Sequence, residues 1–325
     1  MKKKLIPILI LINYSVSYSQ NFLNINHLLR YEDKYYKRFN MSPYTGIVFK
    51  LSSNTWSKTL EAEIVNGVLD GSYLEWYDYK RKKERGSYLN GKPHGLFLSW
   101  YYSGNQKSET HYVDGIPVGI SMYWNEIGMK IKELNNDTGI STNWEYYKNK
   151  NISSITIKRF GKFHGKFTSW YRNEKKMIEG SYQDNKKNGV WISFNKNGKK
   201  LSEGRYEYGK KEGLWITYDR NGMNKIEKLY DNDTIVNIRE FRYYLDGKTY
   251  MDIAIGADEK DRSITTFSID STKQSKSNYI WGKLYGVSEK WIDSTQLEYS
   301  LTFSNDILNG SSVFFYENGN KQEET

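Results

Sequence analysis

Residues 90–109 read NGKPHGLFLSWYYSGNQKSE, and residues 209–225 read GKKEGLWITYDRNGMNK. In both stretches a glycine is followed by alternating apolar and polar residues, then by a short polar turn and a charged return segment. Apolar residues at every second position predict a β-strand with one buried face. A pair such as Ser103-Gly104 supplies the positive φ that a tight hairpin needs. Each stretch therefore predicts one β-hairpin.

The hairpin pattern recurs along the chain with a period of 24 residues. The anchor glycines, which open the first strand of each unit, are Gly46, Gly71, Gly95, Gly119, Gly165, Gly189, Gly213, Gly286 and Gly310. From Gly46 to Gly310 the interval is 264 residues, or eleven steps of 24, so about twelve units fit. Gly139 opens a unit that begins four residues early. An isolated hairpin is marginally stable, and stacked neighbours bury the shared face. The sequence predicts an all-β, elongated repeat sheet of stacked hairpins, some of them degenerate.

The first residues of the chain have the pattern of an export signal. Three lysines precede an apolar run over residues 5–12, and small residues lie before Gln20. This pattern predicts a secretory signal peptide at residues 1–19, cleaved after Ser19. The apolar run is far too short to span a bilayer, and no second one follows, so the mature chain is expected to contain no transmembrane segment. The predicted location is therefore the periplasm, the cell surface or the extracellular space.

The rest of the chain divides into four segments. Residues 20–42 are expected to form an N-terminal cap or linker, with a short helix that covers the first edge of the sheet. The repeats occupy residues 43–249 and 282–325. Between them, residues 250–281 contain predicted strands but no regular unit, and we interpret them as a degenerate or inserted segment.

Composition excludes several classes of site. The 325 residues include no cysteine, which excludes disulfide scaffolds, thiolate zinc sites and cysteine nucleophiles. The net charge is +10, but 26% charged residues is ordinary surface chemistry, so no nucleic-acid partner is predicted. No catalytic, metal-binding or cofactor motif is found in the sequence. Aromatic residues reach 16%, including 29 Tyr and 10 Trp, which favours a thin sheet with aromatic faces.

The two quoted stretches resemble the MORN-repeat variant of bacterial YwqK-type proteins, which are often labelled antitoxin components of toxin–antitoxin systems. The Gly-Lys-x-His-Gly form at residues 91–95 and 161–165 is the most specific part of the resemblance. The resemblance covers residues 43–232 and 282–325. It implies a repeat hairpin sheet and a binding role, usually with protein partners, and it transfers no catalytic residue. A cytoplasmic antitoxin would have no use for the export signal at residues 1–19.

The second residue after the anchor glycine (position +2) is the first candidate site. Positions +1, +3 and +5 are apolar in most units, and we expect them to form the buried face. Position +2 then projects from the opposite face as an aromatic ladder that could stack on sugar rings or hold apolar side chains of a partner. The predicted binding residues are Tyr73, Phe97, Phe167, Trp191 and Trp215, followed at position +6 by Tyr77, Tyr101, Tyr171 and Tyr316. Cross-strand packing within a thin sheet is the alternative interpretation of the same residues.

Two further sets of residues recur with the repeat. The return strand contains an acidic row, which is expected to pair with nearby lysines and could instead form a stripe for a cation or a basic partner. The row is Glu109, Glu179, Glu203 and Glu227. His94 and His164 both precede an anchor glycine, and this shared position predicts a structural role.

These patterns lead to three hypotheses. The first is a non-enzymatic exported scaffold that binds a protein partner through an aromatic sheet face. The second is a module that binds cell-wall or envelope polysaccharide. The third is an antitoxin-like neutraliser of a cognate toxin. No cofactor, metal or catalytic residue is predicted under any of the three.

Overall fold

The computed structural model describes residues 22–78, 80–219, 224–256 and 259–325. The predicted signal peptide at residues 1–19 lies outside the described residues. Within the described part of the chain there are thirty β-strands and one short 3-10 helix, Ile25–His27, so the prediction of an all-β hairpin-repeat fold is confirmed. No helix in these residues is long and apolar enough to cross a membrane.

The chain forms two compact units. The first extends to Lys130 and includes Asn135–Asp137, and the second contains Ile131–Leu134 and Thr138–Thr325. The strands of the first unit are β1 (Phe22–Asn24), β2 (Leu28–Tyr31), β3 (Lys34–Lys37), β4 (Gly46–Leu51), β5 (Lys58–Val65), β6 (Val68–Asp78), β7 (Arg81–Leu89), β8 (Lys92–Pro93), β9 (Gly95–Trp100), β10 (Gln106–Val113) and β11 (Ile116–Trp124). Strand β12 (Lys130–Asn135) contains the residues at which the chain passes from one unit to the other.

The second unit contains the remaining strands. They are β13 (Ile140–Tyr146), β14 (Ile152–Arg159), β15 (Lys162–Trp170), β16 (Lys176–Gln183), β17 (Lys186–Lys187), β18 (Gly189–Phe194), β19 (Lys200–Glu207), β20 (Lys210–Tyr218), β21 (Asn224–Asp231), β22 (Thr234–Tyr243), β23 (Thr249–Ile255), β24 (Asp261–Phe267), β25 (Lys273–Ile280), β26 (Lys283–Leu284), β27 (Gly286–Trp291), β28 (Leu297–Ser304), β29 (Ile307–Phe315) and β30 (Lys321–Glu324).

Strands that follow one another along the chain pair antiparallel. In the first unit the order is β4-β5-β6-β7-β9-β10-β11, with the short β8 on β7. In the second unit the pairing runs from β13 to β30 in the same way, with the short β17 and β26 on β16 and β25. Residues 250–281 provide β23–β25, which continue this hairpin series without interruption.

The N-terminal segment differs from the expected helix. Strand β1 adds to the sheet parallel to β4, and β2 and β3 form a separate hairpin, so the segment is mainly β-structure and its only helical part among the described residues is the 3-10 turn Ile25–His27. The physical reason is that the exposed edge of β4 offers unpaired backbone groups, which a strand can satisfy and a helix cannot. Behind this edge lies the main buried cluster of the first unit, made of Leu28, Tyr44, Val48, Ala62 and Ile64.

At five places in the described chain a tyrosine at position +6 joins one hairpin to the next. In each case the phenol O–H donates a hydrogen bond to a backbone carbonyl 23 residues ahead in the sequence. The donor–acceptor pairs are Tyr77 and Trp100 (2.9 Å), Tyr101 and Trp124 (2.8 Å), Tyr147 and Trp170 (2.6 Å), Tyr171 and Phe194 (2.9 Å), and Tyr244 and Phe267 (2.9 Å). We call these bonds the tyrosine clamps.

The clamps also locate the repeat frame where the sequence is degenerate. Tyr147 at position +6 makes Ser141 the anchor of its unit, although the sequence pattern favoured Gly139. By the same rule, Tyr244 makes Ile238 an anchor, and the next anchors follow at 24-residue steps, at residues 262 and 286. Where the interval between two anchors is shorter or longer than 24 residues, the difference therefore lies in the turns. The strands keep their register.

Removing one tyrosine clamp should lower the free energy of unfolding by a small amount that can be measured. Tyr171→Phe deletes the hydrogen bond to the Phe194 carbonyl and keeps the ring, so we expect a loss of about 0.5–1.5 kcal/mol in the free energy of unfolding. Urea denaturation followed by circular dichroism measures this loss. Tyr208→Phe, which changes an exposed ring, is the matched control and should have almost no effect. Equal effects of the two changes would contradict the assignment.

Candidate functional site

The aromatic ladder runs along one face of each unit. In the first unit Tyr73, Tyr88, Phe97 and Tyr112 follow one another with ring centroids 5.2–5.5 Å apart, in edge-to-face contacts. In the second unit the centroids of successive rings are 4.9–6.3 Å apart, again edge to face. These rings are Phe167, Tyr182, Trp191, Tyr206, Trp215 and Tyr230. Apart from Tyr73, the ladder tyrosines come from the return strands, so ring follows ring from strand to strand.

Glycines on the neighbouring strands make room for the large rings. A Cβ at Gly180 would lie 2.3 Å from Trp191, and one at Gly204 would lie 2.1 Å from Trp215. The indoles therefore lie across the backbone of the preceding strand, and each N–H donates to a carbonyl there. The donor–acceptor distances are 3.1 Å from Trp191 to the Ser181 carbonyl and 3.0 Å from Trp215 to the Arg205 carbonyl.

Lysine ammonium groups cover the ladder of the second unit. Lys187 Nζ lies 4.4 Å from the Trp191 ring centroid and 4.9 Å from that of Tyr206. Lys211 Nζ has the same place one repeat later, 4.7 Å from Trp215 and 4.8 Å from Tyr230. Such cation–π contacts stabilise the rings and remove them from water. Desolvation by burial, with a smaller contribution from the Lys211 charge, lowers the pKa of Lys187.

The ladder residues are therefore packed, and the interpretation of the two sheet faces was wrong. Trp191 is 5% exposed and Phe97 is 7% exposed, whereas at position +1 Val190 is 58% exposed and Leu214 is 50% exposed. The +2 side chains lie on the buried face because the glycines opposite let their rings fold down onto the sheet. The predicted residues Tyr73, Phe97, Phe167, Trp191 and Trp215 occur together in the two ladders.

The opposite face presents apolar side chains to solvent, and we call it the open face. It contains positions +1, +3 and +5 of the first strand of each hairpin. Its half-exposed +1 residues are Leu96 and Ile120 in the first unit and Val190 and Leu214 in the second. In the second unit, positions +3 and +5 add Ile192 and Phe194, and one repeat later Ile216 and Tyr218, all partly buried.

The acidic row lies on the open face and is charge-paired. Glu179, Glu203 and Glu227 accept from Lys176, Lys200 and Lys225 of the same strands, with N–O distances of 2.7–2.8 Å. Glu109 accepts instead from the Gln106 amide at 3.2 Å. Hydrogen bonding to Lys200 lowers the pKa of Glu203. The row is therefore largely neutralised, as the pairing interpretation expected.

The two repeat histidines face aspartates of the following turn. His94 Nδ1 lies 3.8 Å from an Asp114 carboxylate oxygen, and His164 Nδ1 lies 3.6 Å from Asp184. Their equivalent surroundings favour the structural role predicted from their shared repeat position. Among the described residues there is no group of three or more potential metal-ligating His, Cys, Asp or Glu side chains.

One pair of like charges interrupts the ladder face of the first unit. Glu75 and Glu84 are direct partners across β6 and β7, and Lys83 Nζ donates to Glu75 at 2.8 Å. Burial, and then the charge of Glu75, raise the pKa of Glu84. An acid with a raised pKa in the folded state destabilises the fold once it ionises.

Glu84→Gln should therefore stabilise the protein in a pH-dependent way. Above the folded-state pKa of Glu84 the penalty is fully present, so the variant should gain up to about 1 kcal/mol at pH 7. Below about pH 4, where this carboxyl is protonated in both states, the gain should disappear. Thermal melts of both proteins at the two pH values check this. A gain that is constant with pH would show that ionisation is not its cause.

No family model matches the sequence. No curated protein matches it either. Solved structures with limited similarity include the Photorhabdus luminescens Tc holotoxin pore with a TccC3-D651A mutation, at 12% identity and a TM-score of 0.21, covering 85% of this chain and 17% of that one. Another is TcdB2-TccC3 without its hypervariable C-terminal region, at 10% identity and a TM-score of 0.19, covering 90% and 20%. A third is KlHsv2 with loop 6CD replaced by a Gly-Ser linker, at 9% identity and a TM-score of 0.13, covering 85% and 97%. The chain thus spans about a fifth of the first two. A similarity at these TM-scores indicates neither the fold nor the function of this chain.

Sequence reasoning missed a set of exposed aromatic residues in the turns between hairpins. Phe160, Tyr208 and Trp281 each precede a glycine, in the turn position that holds Asn66 and Asn90 in the first unit. The signal was present, because an aromatic-Gly pair replaces Asn-Gly at the same distance, five residues, before the next anchor.

Proposed function

We propose that this protein is a non-enzymatic exported scaffold that binds a protein partner through the open face of its hairpin sheet. The observation that carries the proposal is the exposed apolar column at position +1, repeated in successive hairpins of both units. Single exposed apolar residues are ordinary on protein surfaces, but contiguous apolar patches are typical of interaction sites. In this proposal the aromatic side chains that contact the partner are those at positions +3 and +5 of the open face. They replace the packed aromatic ladder, which the sequence had predicted as the binding surface.

The surroundings of the column favour a protein as partner. The glutamates and lysines beside it form ion pairs with each other, so they can flank an apolar contact without a strong net charge. An apolar centre with a polar rim is the usual anatomy of a protein–protein interface. The resemblance to MORN-repeat variants implies the same kind of role, and the antitoxin-like alternative remains a prediction from the sequence.

The binding proposal is tested by placing charge in the column. Val190→Lys together with Leu214→Lys should abolish retention of a stoichiometric protein partner from envelope extract of the source organism. The melting temperature should change little, because both side chains are half-exposed. Leu245→Lys is the matched control, since Leu245 is 94% exposed in a hairpin turn. Retention that survives the double change, or retention of polysaccharide alone, would sink the proposal.

Export is the second component of the proposal, and it is supported by the signal-like pattern of residues 1–19. We expect the mature protein to begin at Gln20. Mass spectrometry of the protein recovered from the source organism reads the N-terminus directly. An intact Met1 terminus in the cytoplasmic fraction would contradict export and reopen the antitoxin-like alternative.

A further inference from the structure

Three bulky aromatic residues in the second unit adopt a backbone conformation that L-residues other than Asn, Asp and Gly rarely adopt. The φ angles are +48° at Phe160, +47° at Tyr208 and +53° at Trp281. A positive φ at a bulky residue is a strained conformation, and such strain often occurs at functional sites. At the equivalent turns of the first unit, Asn66 and Asn90 both have a φ of +49°. The same turn can therefore form with a residue that adopts this φ without strain.

These aromatic side chains are also unusually exposed. Phe160 is 75% exposed, Tyr208 62% and Trp281 70%. Burial therefore does not compensate for the backbone strain, as it would for an aromatic residue that stabilises the core. Residues with an unfavourable backbone conformation therefore occupy positions where their rings contact mostly water.

Two of the three rings are held on one side. The Phe160 ring lies over Gly139, where an added Cβ would be 2.2 Å from it. The Trp281 ring has Lys260 Nζ 4.1 Å from its centroid. A ring with one side packed against the protein keeps its orientation, and its other side remains exposed to solvent. Such a ring can stack on a flat ligand.

The three turns lie on one edge of the sheet of the second unit. Each joins the return strand of one hairpin to the first strand of the next, and in an antiparallel series such turns all fall on the same edge. From Phe160 to Tyr208 there are four strand spacings, about 19 Å, and from Tyr208 to Trp281 six, about 29 Å. A row with this spacing suits a linear polymer better than a small molecule.

The charged residues on this edge indicate that the polymer is negatively charged. Between Phe160 and Tyr208 the edge is basic, because residues 158–164, 184–188 and 207–212 contain seven Lys or Arg and three Asp or Glu. The turns of the same edge between Tyr208 and Trp281, residues 231–234 and 256–261, contain one Lys and five Asp or Glu, so the excess of cations is confined to the part from Phe160 to Tyr208. Lys162, Lys186 and Lys210 occur two residues after successive turn positions, and all three are exposed. The cations between the Phe160 and Tyr208 rings match a chain that has both flat apolar faces and negative charges.

We propose that this edge, which we call the aromatic turn edge, binds an acidic polysaccharide. The pyranose rings would stack on Phe160, Tyr208 and Trp281, while the carboxylate or sulfate groups pair with Lys162, Lys186 and Lys210. This surface is separate from the open face, so the two proposals stand or fall independently.

The structure allows a variant that tests binding without harming the fold. Asparagine accepts a positive φ easily, so Phe160→Asn, Tyr208→Asn and Trp281→Asn combined should leave the melting temperature unchanged or raise it. The same triple variant of the full chain should bind alginate, a polyuronate, at least about tenfold more weakly. Leu245→Asn, which removes an exposed apolar side chain from a hairpin turn on the opposite edge, should bind alginate like the unmodified protein.

Three probes separate sugar stacking from other sources of affinity. Alginate should bind, and its affinity should fall with salt and on combined alanine substitution of Lys162, Lys186 and Lys210. Dextran, which is neutral, and polyglutamate, which is acidic but lacks sugar rings, should both bind much more weakly. The proposal is overturned if alginate does not bind or if polyglutamate binds equally well. Unchanged alginate affinity in the triple asparagine variant would also overturn it. So would a lowered melting temperature in that variant, or binding to phosphatidylglycerol vesicles but not to alginate.

Discussion

Trp191→Ala is expected to lower the free energy of unfolding by about 3–5 kcal/mol, which is the usual cost of deleting a large buried aromatic side chain. The indole is 5% exposed, contacts Tyr182 and Phe167 with centroid distances of 5.0 and 5.7 Å, and donates its N–H to the Ser181 carbonyl. Alanine would leave a cavity above Gly180 and would remove one of the two hydrogen bonds that the Ser181 carbonyl accepts, the other coming from the Asn188 N–H at 2.9 Å. The urea midpoint, followed by circular dichroism, measures the loss.

Two further variants test whether the loss of stability in Trp191→Ala comes from the buried packing of the indole. Trp56→Ala deletes an indole that is 78% exposed, and its effect should stay within about 0.5 kcal/mol. Trp191→Phe keeps most of the ring contacts but removes the N–H, so its loss should lie between the other two. If Trp191→Ala melted like the unmodified protein, the ladder would be a binding surface and its packing role would be refuted.

Gly204→Ala is expected to have the second-largest effect, a loss of about 1–3 kcal/mol. Alanine normally stabilises a strand relative to glycine by about 0.5–1 kcal/mol, so the expected sign is the reverse of the usual one. The reason is steric, because the new Cβ would lie 2.1 Å from Trp215. The indole would have to leave its place over the return strand and lose its hydrogen bond to the Arg205 carbonyl.

A double-mutant cycle tests this steric account. In a Trp215→Ala background the obstruction is gone, and Gly204→Ala should become neutral or stabilising. Thermal or urea denaturation of the four proteins gives the coupling free energy directly. The same cost for Gly204→Ala in both backgrounds would show that the ring and the glycine do not interact.

The sequence was sufficient for the period and the hairpins because glycines and alternating residues are local signals. It was insufficient for the choice of face, since apolar residues occur at +1, +3 and +5 and again at +2. The decisive information lay on the neighbouring strand, where Gly180 and Gly204 leave space for rings that come from another part of the chain. A glycine in the middle of a return strand is therefore the signal that identifies the packed face.

The N-terminal cap could not be predicted for a related reason. Its β1 strand pairs parallel with β4, and parallel pairing leaves no turn signature in the sequence. The turn conformation of Phe160, Tyr208 and Trp281 could not be predicted for another reason, because the usual signal for a positive φ before glycine is asparagine and bulky aromatic residues rarely adopt it.

The tyrosine clamps have a consequence for how such a chain grows during evolution. Every clamp points toward the C-terminus, so a hairpin unit with tyrosine at position +6 contains both the donor for its successor and, at position +5, the acceptor for its predecessor. A duplicated unit that has this tyrosine, such as the one opened by Gly95 or by Gly165, would arrive with both bonds ready to form. A gene encoding this protein could therefore gain or lose single repeats by unequal recombination while every remaining junction stayed complementary.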